Sequence, residues 1–167
     1  MAEITFQGKP LHLIGELPKI GAPAPDFTLV ANDLSPKTMK DFKGKVLVLV
    51  TVPSLDTPVC DLEMRRFNSE AAKLSDDCQI VAVSCDLPFA QARWCGAAGA
   101  DNITALSDYM ENGFGKSYGV LIDELRLLAR AVFVVDKNGN LVYEQLVPEM
   151  TDQPAFEPVL EAIKKAL

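Results

Sequence analysis

Cysteines at positions 60, 78, 85 and 95 are the groups with the widest chemical range in this chain of 167 residues. No two of them form a Cys-x-x-Cys pair, and the single histidine, His12, stands far from all four. That excludes the usual zinc ligand sets, and any Ser-His-Asp or Cys-His relay would have to run through one imidazole. Cys60 has the most informative surroundings, Pro53-Ser54-Leu55-Asp56-Thr57-Pro58-Val59-Cys60-Asp61. Thr57 followed by Pro58 reads as the N-cap and first residue of a helix, since proline there loses no hydrogen bond. Cys60 then sits in the first turn, where unpaired N–H groups and the positive end of the helix dipole favour a thiolate.

The helix end alone is too weak. Moving a thiol from about 8.5 to about 6 takes roughly 3.4 kcal/mol, whereas a helix terminus contributes ~0.3 to 1 kcal/mol. Asp56, Asp61 and Glu63 would oppose the shift, so a cation must come from elsewhere. Charge-assisted hydrogen bonds of about 1.5 to 3 kcal/mol would close the gap. Arg65, Arg66 and Arg130 are the candidates, and Arg130 is favoured because it opens an apolar run that, in a parallel arrangement, would lie beside Cys60. Taken alone, Cys60 fits a small core residue about equally well; the Thr-Pro-x-Cys passage out of an apolar strand tilts the reading towards function.

Several elements must position this segment. Residues 46–52 form an apolar run expected of a central strand covered on both faces. A helix is predicted over 58–74, because Cys60, Met64, Phe67, Ala71 and Leu74 recur at spacings of four and three. A strand over 79–85, a short helix over 88–95 stopped by Gly96, and a loosely helical segment over 109–119 follow. Strands at 131–136 and 141–147 flank Lys137-Asn138-Gly139-Asn140 as a hairpin, and an amphipathic helix covers 154–166. Before all of these, Ile4–Phe6 and Leu11–Ile14 flank a turn at Gln7-Gly8-Lys9-Pro10, and the prolines near Ala24-Pro25-Asp26-Phe27 impose an extended lead-in. No internal repeat appears, so residues 1–167 read as one domain with a hairpin extension over 1–15. The element order is that of a thioredoxin-like α/β sandwich, a central mixed sheet flanked by helices.

Pro53-x-x-x-Thr57-x-x-Cys60 resembles the active-site pattern of the peroxiredoxins, and Ala24-Pro25-Asp26-Phe27 resembles their N-terminal signature. The hairpin, the phrase from Asp86 to Cys95 and Ala129-Arg130-Ala131-Val132 are similar to the bacterial thiol peroxidase subfamily, over essentially the whole chain. The resemblance implies that Cys60 attacks peroxide and becomes a sulfenic acid, that Thr57 orients the reactants, that Pro53 shields the sulfur and that Arg130 is the activating cation. It also implies that Cys95 resolves the sulfenic acid as an intramolecular disulfide after local unfolding. On its own surroundings Cys95, expected at a helix C-terminus before Gly96, is a poor primary nucleophile. A thioredoxin-type dithiol as reductant, hydrogen peroxide and alkyl hydroperoxides as substrates, a homodimer, and no metal, haem or flavin complete what the resemblance implies.

The other residues are read more plainly. Cys78 follows two aspartates and is expected to be inert; Cys85 ends an apolar strand and departs from the family's residue, and a disulfide between it and Cys95 stays open. His12 is expected at a surface or interface, and Phe89, Trp94 and Phe114 either line an apolar entrance or fill a core. The net charge of −7 argues against nucleic acid, no apolar stretch has bilayer length, and the N-terminus lacks signal-peptide character. A cytoplasmic protein is expected. Two other functions compete: a disulfide oxidoreductase, opposed by the missing Cys-x-x-Cys, and a peroxide-sensing switch or holdase on the same scaffold.

Overall fold

A computed structural model describes residues 2–167; Met1, the first residue of the predicted hairpin extension, lies outside them. Strands β1 (Glu3–Phe6) and β2 (Lys9–Ile14) form the predicted hairpin, but its turn is only Gln7-Gly8, both at positive φ, and Lys9 and Pro10 already belong to β2. The chain then adds β3 (Leu29–Val30), β4 (Pro36–Lys37), β5 (Val46–Thr51), helix α1 (Pro58–Ala71), β6 (Cys78–Ser84), α2 (Pro88–Ala98) and β7 (Thr104–Ser107). Helix α3 (Gly113–Ser117), β8 (Leu121–Ile122), β9 (Ala131–Val135), β10 (Leu141–Leu146) and α4 (Phe156–Ala166) complete it.

Seven strands form one mixed sheet in the order β10-β9-β5-β6-β7-β3-β4, and β1-β2-β8 form a second, small sheet. Every residue of β5 is buried, as its apolar sequence requires. Alternation divides the core in two. Val46, Val48 and Val50 face one side with Met64 and Phe67 of α1, Trp94 of α2 and Val159 of α4. Leu47 and Leu49 face the other, with Leu13, Phe114, Tyr118 and Leu121. No helix among the described residues is long and apolar enough to cross a membrane.

Two predicted features are corrected. β5 and β6 are parallel, but β9 runs antiparallel to β5, with Ala131 opposite Thr51. In a parallel pair the start of β9 would lie at the far end of β5; the antiparallel register is what brings Arg130 to the strand end from which α1 departs. In addition, Gly96 does not stop α2. The helix continues to Ala98 and ends at Gly99, which takes the left-handed φ of 62° that glycine tolerates and returns its N–H to the carbonyls of Cys95 and Gly96. Cys95 therefore lies in the last turn of a three-turn helix.

The N-terminal hairpin braces the active half of the molecule. Thr5 exchanges backbone hydrogen bonds with Pro148 and Met150, each 2.8 Å. The Glu149 carboxylate accepts from the N–H groups of Thr151 (2.8 Å) and Gly8 (2.9 Å) and from the Thr5 hydroxyl (2.9 Å). Those bonds hold its carboxyl down to about 2.

Candidate active site

Pro53 is buried at the end of β5, and the chain turns at Ser54–Thr57 into α1. Asp86 fixes this turn: its carboxylate accepts from the Ser54 hydroxyl (2.7 Å), the Leu55 N–H (2.8 Å) and the Ser84 hydroxyl (2.8 Å). Thr57 occupies the N-cap position with extended backbone and Pro58 follows at N1, as predicted. Its side chain does not cap, however; the Thr57 hydroxyl donates to the Ser54 carbonyl at 2.9 Å. The first helical bond runs from Asp61 N–H to the Thr57 carbonyl (2.9 Å), so the N–H groups of Val59 and Cys60 precede the helical ladder and no side chain caps them.

Cys60 is fully buried and its sulfur is 3.2 Å from Arg130 Nη1. Of the three candidate cations, only Arg130 makes this contact. Arg65 bonds Asp61 through Nε at 3.0 Å, and the Arg66 guanidinium lies 4.0 Å from the centre of the Phe156 ring. Arg130 is itself buried, with Nη1 donating also to Glu63 Oε1 and Nη2 to the Met150 carbonyl, each at 2.8 Å. Burial opposes the charge on Arg130, but Glu63 and Cys60 outweigh it and raise its pKa further. The hairpin contact to Met150 thus reaches the sulfur through one guanidinium.

Glu63 was visible in the sequence as an acidic neighbour hostile to a thiolate, and its role as partner of Arg130 was not. The usable signal was position: three residues after Cys60, it falls on the apolar stripe of α1, and a carboxylate there needs a buried partner. Burial pushes Glu63 up to about 7, with Arg130 opposing. Because the folded value exceeds the unfolded one, Glu63 adds stability that is full below about 4.5 and lost as pH rises through about 7. Glu63→Gln should therefore flatten the pH dependence of unfolding free energy between pH 4.5 and 8, by roughly 3 kcal/mol, in denaturant titrations.

Cys95 is half-buried, and burial and Asp101 raise its thiol pKa. Burial pushes Cys78 up to about 11 and Cys85 up to about 12, the latter with help from Asp108 and Asp86. All four cysteines are unbridged. The three aromatic residues do not share an entrance: Phe114 is buried in one core, Trp94 is buried in the other and Phe89 is two-thirds exposed, at 66%. His12 is exposed and contacts Glu124 (2.7 Å) and Glu3 (3.6 Å) at the hairpin. No cluster of three or more His, Cys, Asp or Glu residues suited to a metal occurs among the described residues.

A thiol in the first turn of a helix, under a buried guanidinium, at the end of a central strand, fits a redox protein of thioredoxin-like fold. The family model Redoxin matches residues 19–162. A thiol peroxidase of Bacillus subtilis (strain 168) is 54% identical over 98% of this chain and 98% of its own length. A crystal structure of a peroxiredoxin-like protein from Aquifex aeolicus superposes with a TM-score of 0.93 at 40% identity, covering 100% of this chain and 98% of that one. A thiol peroxidase from Chromobacterium violaceum shares the fold at a TM-score of 0.88 and 22% identity, over 98% of this chain and 95% of its own. The chain belongs to the Redoxin family and, within it, to the thiol peroxidases.

Proposed function

We propose that the protein is a thiol-dependent peroxidase that reduces hydrogen peroxide and alkyl hydroperoxides, with Cys60 as the attacking sulfur. The 3.2 Å contact between Cys60 Sγ and the buried Arg130 guanidinium carries this reading. The thiolate attacks the distal peroxide oxygen, the O–O bond breaks, and the departing alkoxide or hydroxide takes a proton to leave as alcohol or water. Cys60 becomes a sulfenic acid. Arg130 has five N–H donors and spends three on Cys60, Glu63 and Met150; Nε has no partner among the described residues. The free donors suit the negative charge that moves onto peroxide oxygen in the transition state. Pro53 keeps bulk water from the sulfur, and the Thr57 hydroxyl, close to the head of the helix, orients the peroxide.

Cys95 then resolves the sulfenic acid. Its sulfur replaces the hydroxyl on Cys60, water leaves, and an external thioredoxin-type dithiol reduces the disulfide. The raised thiols of Cys78 and Cys85 suit bystanders. The reaction requires no metal, haem or flavin, and the protein works as a cytoplasmic homodimer; Ile20, Leu34, Leu62, Leu87, Phe89 and Met110 are large apolar side chains more than half exposed, from which a self-association surface could draw. Purified protein supplied with thioredoxin, thioredoxin reductase and NADPH should consume NADPH only when hydroperoxide is added. Absence of that consumption would favour a sensor or holdase and remove the peroxidase reading.

A further inference from the structure

The two cysteines assigned above have neighbours that touch. Trp94, immediately before Cys95, donates its indole N–H to Oδ1 of Asp61, immediately after Cys60, at 2.7 Å. It is the one side-chain hydrogen bond between α1 and α2 among the described residues. Arg65 completes the contact, bonding both Asp61 oxygens at 3.0 Å while its guanidinium sits 6.0 Å from the centre of the Trp94 ring. The first half of α2 is held separately: Gln91 donates to Ser84 Oγ (3.0 Å) and to the Leu106 carbonyl (2.9 Å). Of the last turns, which carry Cys95, only Trp94 is buried.

This contact and a bond between the two sulfurs compete. Cys60 turns its sulfur to Arg130, whereas Asp61, about 100° further round α1, accepts the hydrogen bond from α2. A disulfide needs the two Cα atoms within about 7 Å and the side chains directed at each other. For the sulfurs to bond, Cys60 has to turn away from Arg130, and a movement of the end of α2 towards it would break the bond from Trp94 to Asp61.

We propose that the Asp61–Trp94 contact, backed by Arg65, is a latch that holds the end of α2 in place and sets the rate at which the Cys60 sulfenic acid is resolved. The proposal rests on the assignment of Cys60 and Cys95 as attacking and resolving residues. In the step it governs, the Cys95 sulfur loses its proton and attacks Cys60 sulfur, the S–O bond breaks, and hydroxide leaves with a proton as water. Cys95 is oxidised and the sulfenic sulfur is reduced. A tight latch prolongs the sulfenic acid, so a second peroxide converts more of it to sulfinic acid. Asp61 and Trp94 act as positioning residues and touch neither peroxide nor the reacting atoms.

Rapid-quench mixing with one equivalent of hydrogen peroxide, followed by thiol blocking and peptide mass spectrometry, reads sulfenic acid, disulfide and the cysteines joined. Trp94→Phe keeps the ring and removes the donor. It should speed formation of the 60–95 disulfide about tenfold, the factor equivalent to ~1.4 kcal/mol, and lower the sulfinic fraction at excess peroxide. Asp61→Ala should accelerate the same step by a similar factor, and the double variant should add nothing more, since one contact is lost in all three. Asp61→Asn keeps an acceptor for the indole and should fall between. Amide exchange at residues 94–98 should quicken in the reduced variants while that near Gln91 holds. A 60–95 disulfide formed at or below the wild-type rate in both single variants overturns the latch. A disulfide through Cys78 or Cys85, or none at all, in the wild type overturns the resolving assignment, and the latch with it.

Discussion

Cys60→Ser should abolish peroxide consumption altogether, whereas Cys95→Ser should retain one turnover at close to the wild-type rate and then stall. The contrast follows from where the two sulfurs sit. Cys60 has the buried guanidinium at 3.2 Å and unpaired N–H groups in the first turn beside it. A serine hydroxyl at that position is barely ionised at neutral pH, is far less nucleophilic than a thiolate, and has no stable product corresponding to a sulfenic acid. Cys95 has the opposite environment, in the last turn of α2 with burial and Asp101 keeping its thiol protonated. That environment suits a poor first attacker, and under the proposed division of roles removing Cys95 should touch only the step after peroxide is reduced. Stopped-flow mixing with one equivalent of peroxide reads the first turnover, and continuous assay with thioredoxin reads recycling. Equal loss of the first turnover in both variants would refute the division of roles; full recycling in Cys95→Ser would pass the resolving role to another thiol.

The sequence was most readable where a feature depended on neighbours along the chain. Thr57-Pro58 marked the start of α1, the apolar run at 46–52 marked the central strand, and Asn138-Gly139 marked the hairpin of β9 and β10. It was least readable where distant segments decide the outcome. Arg130 was favoured as the cation, but for a parallel register; only pairing of β9 with β5 across some eighty residues makes that end of the strand the right one. Gly96 resembled a helix stop because glycine is a poor helix residue, yet the left-handed geometry fell to Gly99, where the chain turns towards β7. Asp61 and Glu63 both read as charges hostile to a thiolate. In the folded molecule each is engaged, one by Trp94 and Arg65 and the other by Arg130.

The hairpin shows the same limit. Its strands were legible, and its task was not. Thr5 bonds Pro148 and Met150, Glu149 gathers the hairpin turn, and the Met150 carbonyl receives Arg130 Nη2. A guanidinium anchored at one end on this carbonyl and at the other on Glu63 has little freedom to leave the sulfur, and that rigidity is what preorganised electrostatic stabilisation requires.

Removing Arg130 should therefore have the second largest effect on the reaction. Arg130→Met takes away the donor to Cys60 and the charge nearest the developing oxyanion, and loss of one such preorganised donor lowers turnover by about 10² to 10³. The thiolate also loses its partner. A charge-assisted hydrogen bond is worth about 1.5 to 3 kcal/mol, so alkylation of Cys60 at neutral pH should slow. The substitution leaves the Glu63 carboxyl in the core without its partner, however, and removing one member of a buried pair costs about 3 to 5 kcal/mol, enough to unfold the protein and mimic a catalytic loss. Arg130→Met combined with Glu63→Gln removes both charges together and should restore most of the stability without restoring the rate. Arg130→Lys gives an independent control: it keeps the charge, yet a single ammonium cannot span Cys60, Glu63 and the Met150 carbonyl as the planar fork does. Its alkylation rate at neutral pH should stay near the wild type while its peroxide rate falls, separating the charge beside the sulfur from the geometry that stabilises the transition state. A folded double variant with wild-type alkylation and wild-type rate would show that the contact to Cys60 is structural.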